Sequence, residues 1–154
     1  MQYNILIIEQ EDEGRFNRAK LMNVGAKMAF TQMNQKCGQK PSENHLCLIF
    51  HDIDMLPQNP QLQYECQKGP IELASAAQQF DYQLPYRWYF GGVVAISWQQ
   101  FVLVNGYPNN YWGWGGEDDD FLTRIRVKKL PWGHVNPELG RFRVSILREN
   151  MLSK

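Results

Sequence analysis

Two groups of acidic residues in this chain stand where carboxylates can do chemistry. The first is Phe50-His51-Asp52-Ile53-Asp54, directly after the apolar run Leu46 to Phe50. In an extended backbone alternate side chains share a face, so Asp52 and Asp54 are expected to project together from the carboxyl end of a strand, where open α/β sheets bind ligands. Hard oxygen ligands of this kind hold Mg²⁺ or Mn²⁺, which can neutralise a diphosphate. An Asx-turn at a strand end uses the same residues without any ion, and is the commoner use of an isolated pair.

The second group is Trp112-Gly113-Trp114-Gly115-Gly116-Glu117-Asp118-Asp119-Asp120. Acids in the first turn of a helix stabilise its macrodipole by about 0.3–1 kcal/mol each, and Lys128 and Lys129 suit the opposite end. One or two acids would serve that purpose. Four in succession repel one another, and a carboxylate beside like charges has a raised pKa that makes it a better general base. The tryptophans between glycines suit a mobile, ring-lined edge on which the apolar face of a sugar stacks, although core packing is the ordinary use of an aromatic ring.

The elements that must position these groups can be read from periodicity. Tyr3 to Ile8 is apolar and β-branched and predicts a buried strand, ended by the acidic stretch from Glu9 to Glu13. Phe16, Ala19, Met22, Ala26 and Phe30 follow helical spacing, with Gly25 as the weak point. Leu46 to Phe50 predicts a second buried strand, followed by a loop from Pro57 to Pro70 and a mixed segment to Phe80. Tyr89 to Ile96 predicts a strand whose Gly91 and Gly92 allow close approach to its backbone. Ser97 with Gln100 forms a capping-box pattern for a short helix through Val104, stopped at Asn105-Gly106. Asp119 to Leu130 predicts the last helix, and Phe142 to Ile146 a final strand. Alternating strands and helices indicate an α/β fold with a partly parallel sheet.

Bulk properties set the limits. With 154 residues, 44% of them hydrophobic, the chain suffices for one core, so residues 1–154 are read as a single domain. Lys plus Arg equals Asp plus Glu at 16 each, which provides no net field for a nucleic acid backbone or an anionic membrane surface. The N-terminus lacks a basic n-region, and no apolar stretch approaches the roughly 20 residues of a membrane span. Cys37, Cys47 and Cys66 leave one cysteine unpaired even if a disulfide forms, and their number alone does not set the compartment.

Taken in order, Phe16-Asn17-Arg18-Ala19-Lys20, His51-Asp52-Ile53-Asp54, Tyr89-Phe90-Gly91-Gly92-Val93 and Asn105-Gly106-Tyr107-Pro108-Asn109-Asn110-Tyr111 continuing through Asp120 resemble the β-1,4-galactosyltransferases, from about Tyr3 to Arg143. The resemblance implies a GT-A-like fold, a mixed sheet flanked by helices, here incomplete at both ends: the chain starts after the family's first strand and stops before its mobile loop. It implies an inverting enzyme of the Golgi lumen that uses Mn²⁺ and UDP-galactose and acts on the 4-hydroxyl of terminal N-acetylglucosamine. Phe16, Asn17, Arg18, Asp52, Ile53 and Asp54 match nucleotide-sugar-binding positions, Asp54 being the metal ligand, and Trp114 matches a tryptophan that moves with substrate. Asp118 matches the general base, and Gly116, Glu117 and Asp119 match acceptor positions beside the rings Tyr86, Tyr89 and Tyr111. A bulky Tyr89 matches galactose-using members, because a smaller residue leaves room for an N-acetyl group. Cys47 and Cys66 match a disulfide pair of the family, with Cys37 as the odd thiol.

The pattern is broken at the late metal ligands, a methionine and a histidine in the family and Val144 and Leu147 here. Glu149 as a substitute ligand and Arg148 as a substitute cation are the replacements the sequence offers. Three readings therefore stand beside one another: a galactosyltransferase, a sugar- or nucleotide-binding remnant that has lost the chemistry, and a structural Ca²⁺ domain built on Asp52, Asp54 and the acidic run.

Overall fold

The computed structural model describes residues 3–36 and 46–145. Helix α1 (Arg18–Lys36) comes first, then strands β1 (Cys47–His51), β2 (Met55–Pro57), β3 (Ile71–Glu72) and β4 (Ala76–Ala77). After a 3-10 turn at Gln78–Phe80 come β5 (Val93–Ser97), α2 (Trp98–Leu103), α3 (Glu117–Val127), β6 (Gly133–His134) and β7 (Arg141–Val144). One sheet has the order β1-β5-β3-β6 and the other β2-β7-β4. The pairings β3–β6 and β4–β7 are parallel and the rest antiparallel, so the expected partly parallel arrangement holds, divided between two sheets.

β5 is the keystone. Its alternation places Val94 and Ile96 in one core, with Phe50, Phe90, Phe101, Tyr107, Phe121 and Ile125, where all three helices pack. Val93 and Ala95 enter a second core with Met55, Ile71, Leu73 and Phe142. A strand covered on both faces reads as the continuous apolar run seen in the sequence.

Local chemistry sets the element ends. Asn17, only 1% exposed, caps α1 by accepting from Lys20 N at 2.8 Å, so the helix starts at Arg18 rather than Phe16. The Ser97–Gln100 capping box forms as expected. Beyond α2, Asn105 and Gly106 adopt positive φ, and Gly106 N bonds to Phe101 O while Asn105 N bonds to Val102 O. Lys129 plays the same left-handed role beyond α3, with Leu130 N on Ile125 O; this ends the helix at Val127, short of the expected Leu130. β5 begins at Val93 instead of Tyr89 because Gly92, at φ 70°, breaks the extended run. The last strand ends at Val144, and Ile146 lies outside the described residues.

The buried strand expected at Tyr3 to Ile8 does not form. The segment has no regular structure, and Tyr3, Ile5 and Ile7 are 58%, 88% and 77% exposed. Strand propensity becomes a strand only when a neighbour supplies the ladder, and no described strand pairs with this run. Leu6 and Ile8 are partly buried, Ile8 lying where Gly25 of α1 offers no side chain.

The Cys47–Cys66 disulfide implied by the resemblance is present, with Cα atoms 5.5 Å apart and a sequence separation of 19. It ties the start of β1 to the loop after β2. Reducing it is expected to lower stability by about 3 kcal/mol, the loop-closure value for this span, read as a fall in urea midpoint against a Cys47→Ser/Cys66→Ser control. Ser97→Ala, which removes the α2 cap, is expected to cost about 1 kcal/mol in the same assay.

Candidate active site

The site is organised by Arg18. As the first residue of α1 it reaches across the carboxyl end of β1 to the start of α3. Its Nε donates to Asp52 Oδ1 at 2.7 Å, and its Nη1 donates to Asp118 Oδ1 at 2.8 Å and Glu117 Oε1 at 3.3 Å. Arg18 is 15% exposed, Glu117 9% and Asp118 22%, so these ion pairs are shielded far more than surface pairs. Burial works against the guanidinium's charge, but Asp118 and Asp52 more than offset it and raise the Arg18 pKa.

Asp118 keeps an unusual proton affinity despite that partner. Burial pushes its carboxyl up to about 6; Arg18 pulls it down, and Glu117 and Asp52 push it up again. Burial is the larger effect and the two neighbouring carboxylates add to it, which is why Arg18 does not win.

The floor beneath Asp118 is Gly91. A methyl group there would lie 2.6 Å from Asp118 Oδ2 and 2.8 Å from the Tyr89 hydroxyl, so those two polar atoms converge over a bare backbone. Burial and the Asp118 charge raise the Tyr89 pKa, which keeps the phenol a proton donor. Its ring meets Tyr86 edge-on at 5.6 Å and Phe80 at 5.4 Å. Tyr86 donates to Asp119 Oδ1 at 2.8 Å, and Tyr111 to Asp120 Oδ2 at 3.3 Å. Gly116, at φ 90°, forms the turn that aims the acidic run inward.

The structure thus brings together Arg18, Asp52, Tyr86, Tyr89, Gly116, Glu117, Asp118 and Asp119, with Tyr111 at the margin. Other positions are placed differently. Asn17 is spent on capping α1 and donating to Asn109 O at 2.8 Å. Phe16 is half-exposed, Ile53 is 84% exposed, and Trp114, between Gly113 and Gly115, is 91% exposed.

Asp52 and Asp54 do not share the extended geometry expected of them. Met55 N bonds to Asp52 O at 3.1 Å, closing a turn, and Asp52 is drawn toward Arg18. Asp54 sits beside β7, its carbonyl accepting from Ser145 N at 2.7 Å. Val144 pairs with Met55 in that ladder, so the position expected to complete a metal site lies close by but carries only methyl groups. Among the described residues no three potential His, Cys, Asp or Glu ligands converge. Among the described residues the donors beside Asp54 do not make up a divalent-ion site. Leu147, Arg148 and Glu149 lie outside the described residues.

Two groups that the sequence did not single out meet here, one buried and one partly buried. Glu72 in β3 is 0% exposed, and His134 in β6 lies 3.2 Å from its carboxyl. The available signal was a single acid inside the apolar run Pro70-Ile71-Glu72-Leu73-Ala74; nothing in the sequence singles out His134.

Comparison with known proteins places this geometry. The model of the N-terminal region of glycosyl transferase group 7 matches residues 1–67, and the model described as the N-terminal domain of galactosyltransferase matches residues 72–145. β-1,4-Galactosyltransferase 1 of Bos taurus is 41% identical over 144 residues, 94% of this chain and 33% of that protein. β-1,4-Galactosyltransferase 4 of Homo sapiens is 42% identical over 142 residues, 92% of this chain and 38% of its own length. The chain therefore spans about a third of the length of the curated relatives it matches. The catalytic domain of Drosophila β1,4-galactosyltransferase 7, in complex with xylobiose, superposes with a TM-score of 0.63 at 34% identity, covering 81% of this chain and 48% of that one. A point mutant of the same enzyme, complexed with manganese, UDP-Gal and xylobiose, gives a TM-score of 0.70 at 29% identity, covering 94% and 57%. The expected GT-A-like architecture of sheets flanked by helices is thereby borne out. Matched along nearly its whole length by two adjoining models and sharing the fold of solved catalytic domains, this chain belongs to the β-1,4-galactosyltransferase family.

Proposed function

We propose that this chain carries the acceptor side of an inverting galactosyl transfer, from UDP-galactose to the 4-hydroxyl of a terminal N-acetylglucosamine, with Asp118 as the general base. The observation that carries this reading is the convergence of Asp118 Oδ2 and the Tyr89 hydroxyl over Gly91, with the Asp118 carboxyl pushed up to about 6. A base with that proton affinity is largely ionised at neutral pH yet accepts a proton far better than an ordinary aspartate.

The step is a single displacement. The acceptor oxygen attacks the anomeric carbon as Asp118 takes its proton; the bond from that carbon to the diphosphate oxygen breaks, and UDP leaves with the electron pair. Attack opposite the leaving group inverts the anomeric centre. Tyr86 and Tyr89 form a ring-lined wall for the sugar, and Glu117, Asp119, Gly116 and Tyr111 frame the acceptor end. The bulk of Tyr89 disfavours an N-acetylated donor. Arg18 and Asp52 lie where donor and acceptor would meet, with Phe16, Asn17, Ile53, Asp54 and Trp114 assigned by family position to the nucleotide-sugar side. No step is routed through Mn²⁺, because the donor set around Asp54 and Val144 does not fit it. The Cys47–Cys66 disulfide suits an oxidising lumen such as the Golgi. Among the described residues no helix is long and apolar enough to cross a membrane.

A second reading, a binding remnant without transfer, is favoured by Val144 and by the excess negative charge, both of which disfavour a diphosphate. The two are separated by assaying transfer from UDP-galactose with and without Mn²⁺, using N-acetylglucosamine and xylose as acceptors. The second acceptor is included because the Drosophila relative was solved with xylobiose. No product from either would leave only the remnant.

Asp118→Asn removes the base while keeping its shape. Transfer is expected to fall by about 10²–10⁴-fold with an unchanged thermal midpoint. The pH profile follows from the sign of the Asp118 shift. The carboxyl must be ionised to act, so kcat/KM is expected to rise with pH through about 6 and then level off. A rising limb centred near the ordinary aspartate value would contradict the assignment.

A further inference from the structure

The Glu72 carboxyl is the most anomalous group outside this mechanism. Its side chain is fully buried, and neither oxygen has a hydrogen-bond partner among the described residues. Its one polar contact is the approach of His134 Nε2 to Oε2 at 3.2 Å. The same nitrogen lies 2.8 Å from the Tyr89 carbonyl, and since a carbonyl only accepts, Nε2 carries the hydrogen. That N–H therefore bonds to the Tyr89 main chain, with the Glu72 carboxyl as a close electrostatic neighbour of the same nitrogen.

Replacing a buried, poorly partnered carboxyl by an apolar group is commonly neutral or stabilising, so stability does not account for Glu72. Its neighbours suggest what does. His134 faces it from β6, Val94 pairs with it from β5, and its charge acts on the Tyr86 and Tyr89 hydroxyls and meets that of Asp118 from α3. Burial first, and then Asp118, push the Glu72 pKa well up. Tyr89 in turn is two residues from Gly91, over which its hydroxyl meets Asp118.

We propose that Glu72 and His134 are positioning residues of the acceptor site: the His134 N–H, bonded to the Tyr89 carbonyl and kept there by the Glu72 carboxyl beside the same nitrogen, fixes the main chain at Tyr89 and so places the Tyr89 hydroxyl opposite Asp118. The inference rests on the acceptor-site reading given above. It assigns these residues no contact with substrate.

The test compares the full chain with E72Q and E72L by three measurements: N-acetylglucosamine affinity by calorimetry, histidine ¹⁵N and tyrosine ring signals by NMR, and the thermal midpoint. E72L is expected to melt no lower than the parent, yet to shift the His134 and Tyr89 signals and weaken N-acetylglucosamine binding about tenfold. E72Q, whose amide oxygen can stand beside Nε2 in place of the carboxyl oxygen, is expected to restore most of that affinity. Wild-type affinity and unmoved His134 and Tyr89 signals in E72L would overturn the proposal, as would an affinity loss that follows the thermal midpoint and is not rescued by Gln. If the parent binds no N-acetylglucosamine, the acceptor reading fails by itself. The couple is then decided by NMR: Tyr89 signals displaced in E72L and restored in E72Q support it, and unmoved signals refute it.

Discussion

A single buried cation among three carboxylates sets the terms for this structure. Asp52 comes from the end of β1, Glu117 and Asp118 from the first turn of α3, and Arg18 from the first turn of α1. Without the guanidinium these acids could not share a shielded space, because like charges within hydrogen-bonding range of one centre either take up protons or move apart. With it, three elements are tied at one point. The cost of placing a cation at the N-terminus of α1, the unfavourable end of the dipole, is offset by the acids around it, two of which gain from the N-terminus of α3.

The acidic run shows how four adjacent carboxylates are tolerated. Each has its own surroundings: Glu117 is buried against Arg18, Asp118 lies between Arg18 and the Tyr89 hydroxyl, Asp119 accepts from Tyr86, and Asp120 is held by Arg124 and Tyr111. A helix turns about 100° per residue, so neighbours in sequence face different partners. Repulsion along the chain becomes a division of roles, in which Asp118 is the one set between Arg18 and the Tyr89 hydroxyl over Gly91.

The region around Asp54 differs in kind. There the ladder between β2 and β7 brings the apolar Val144 beside the acid. A Drosophila relative solved with manganese and UDP-Gal shares this fold at a TM-score of 0.70.

Much was legible from residue order alone. The capping box at Ser97, the stop at Asn105-Gly106, the apolar strands at Leu46 to Phe50 and within Tyr89 to Ile96, and the importance of the Trp112 to Asp120 block all follow from local rules acting over a few residues. Contacts between distant segments were not legible. Arg18 and Asp118 lie 100 positions apart, Glu72 and His134 come from different strands, and no short-range pattern says which acid will receive the guanidinium. The run from Tyr3 to Ile8 misled for the same reason: its composition specifies a strand's surface, but the ladder that makes a strand belongs to a second chain segment. Sequence determined which residues have the chemistry to act and where helices begin and end. Tertiary packing decided which of them meet, because burial and charge neutralisation depend on neighbours brought close only by the fold.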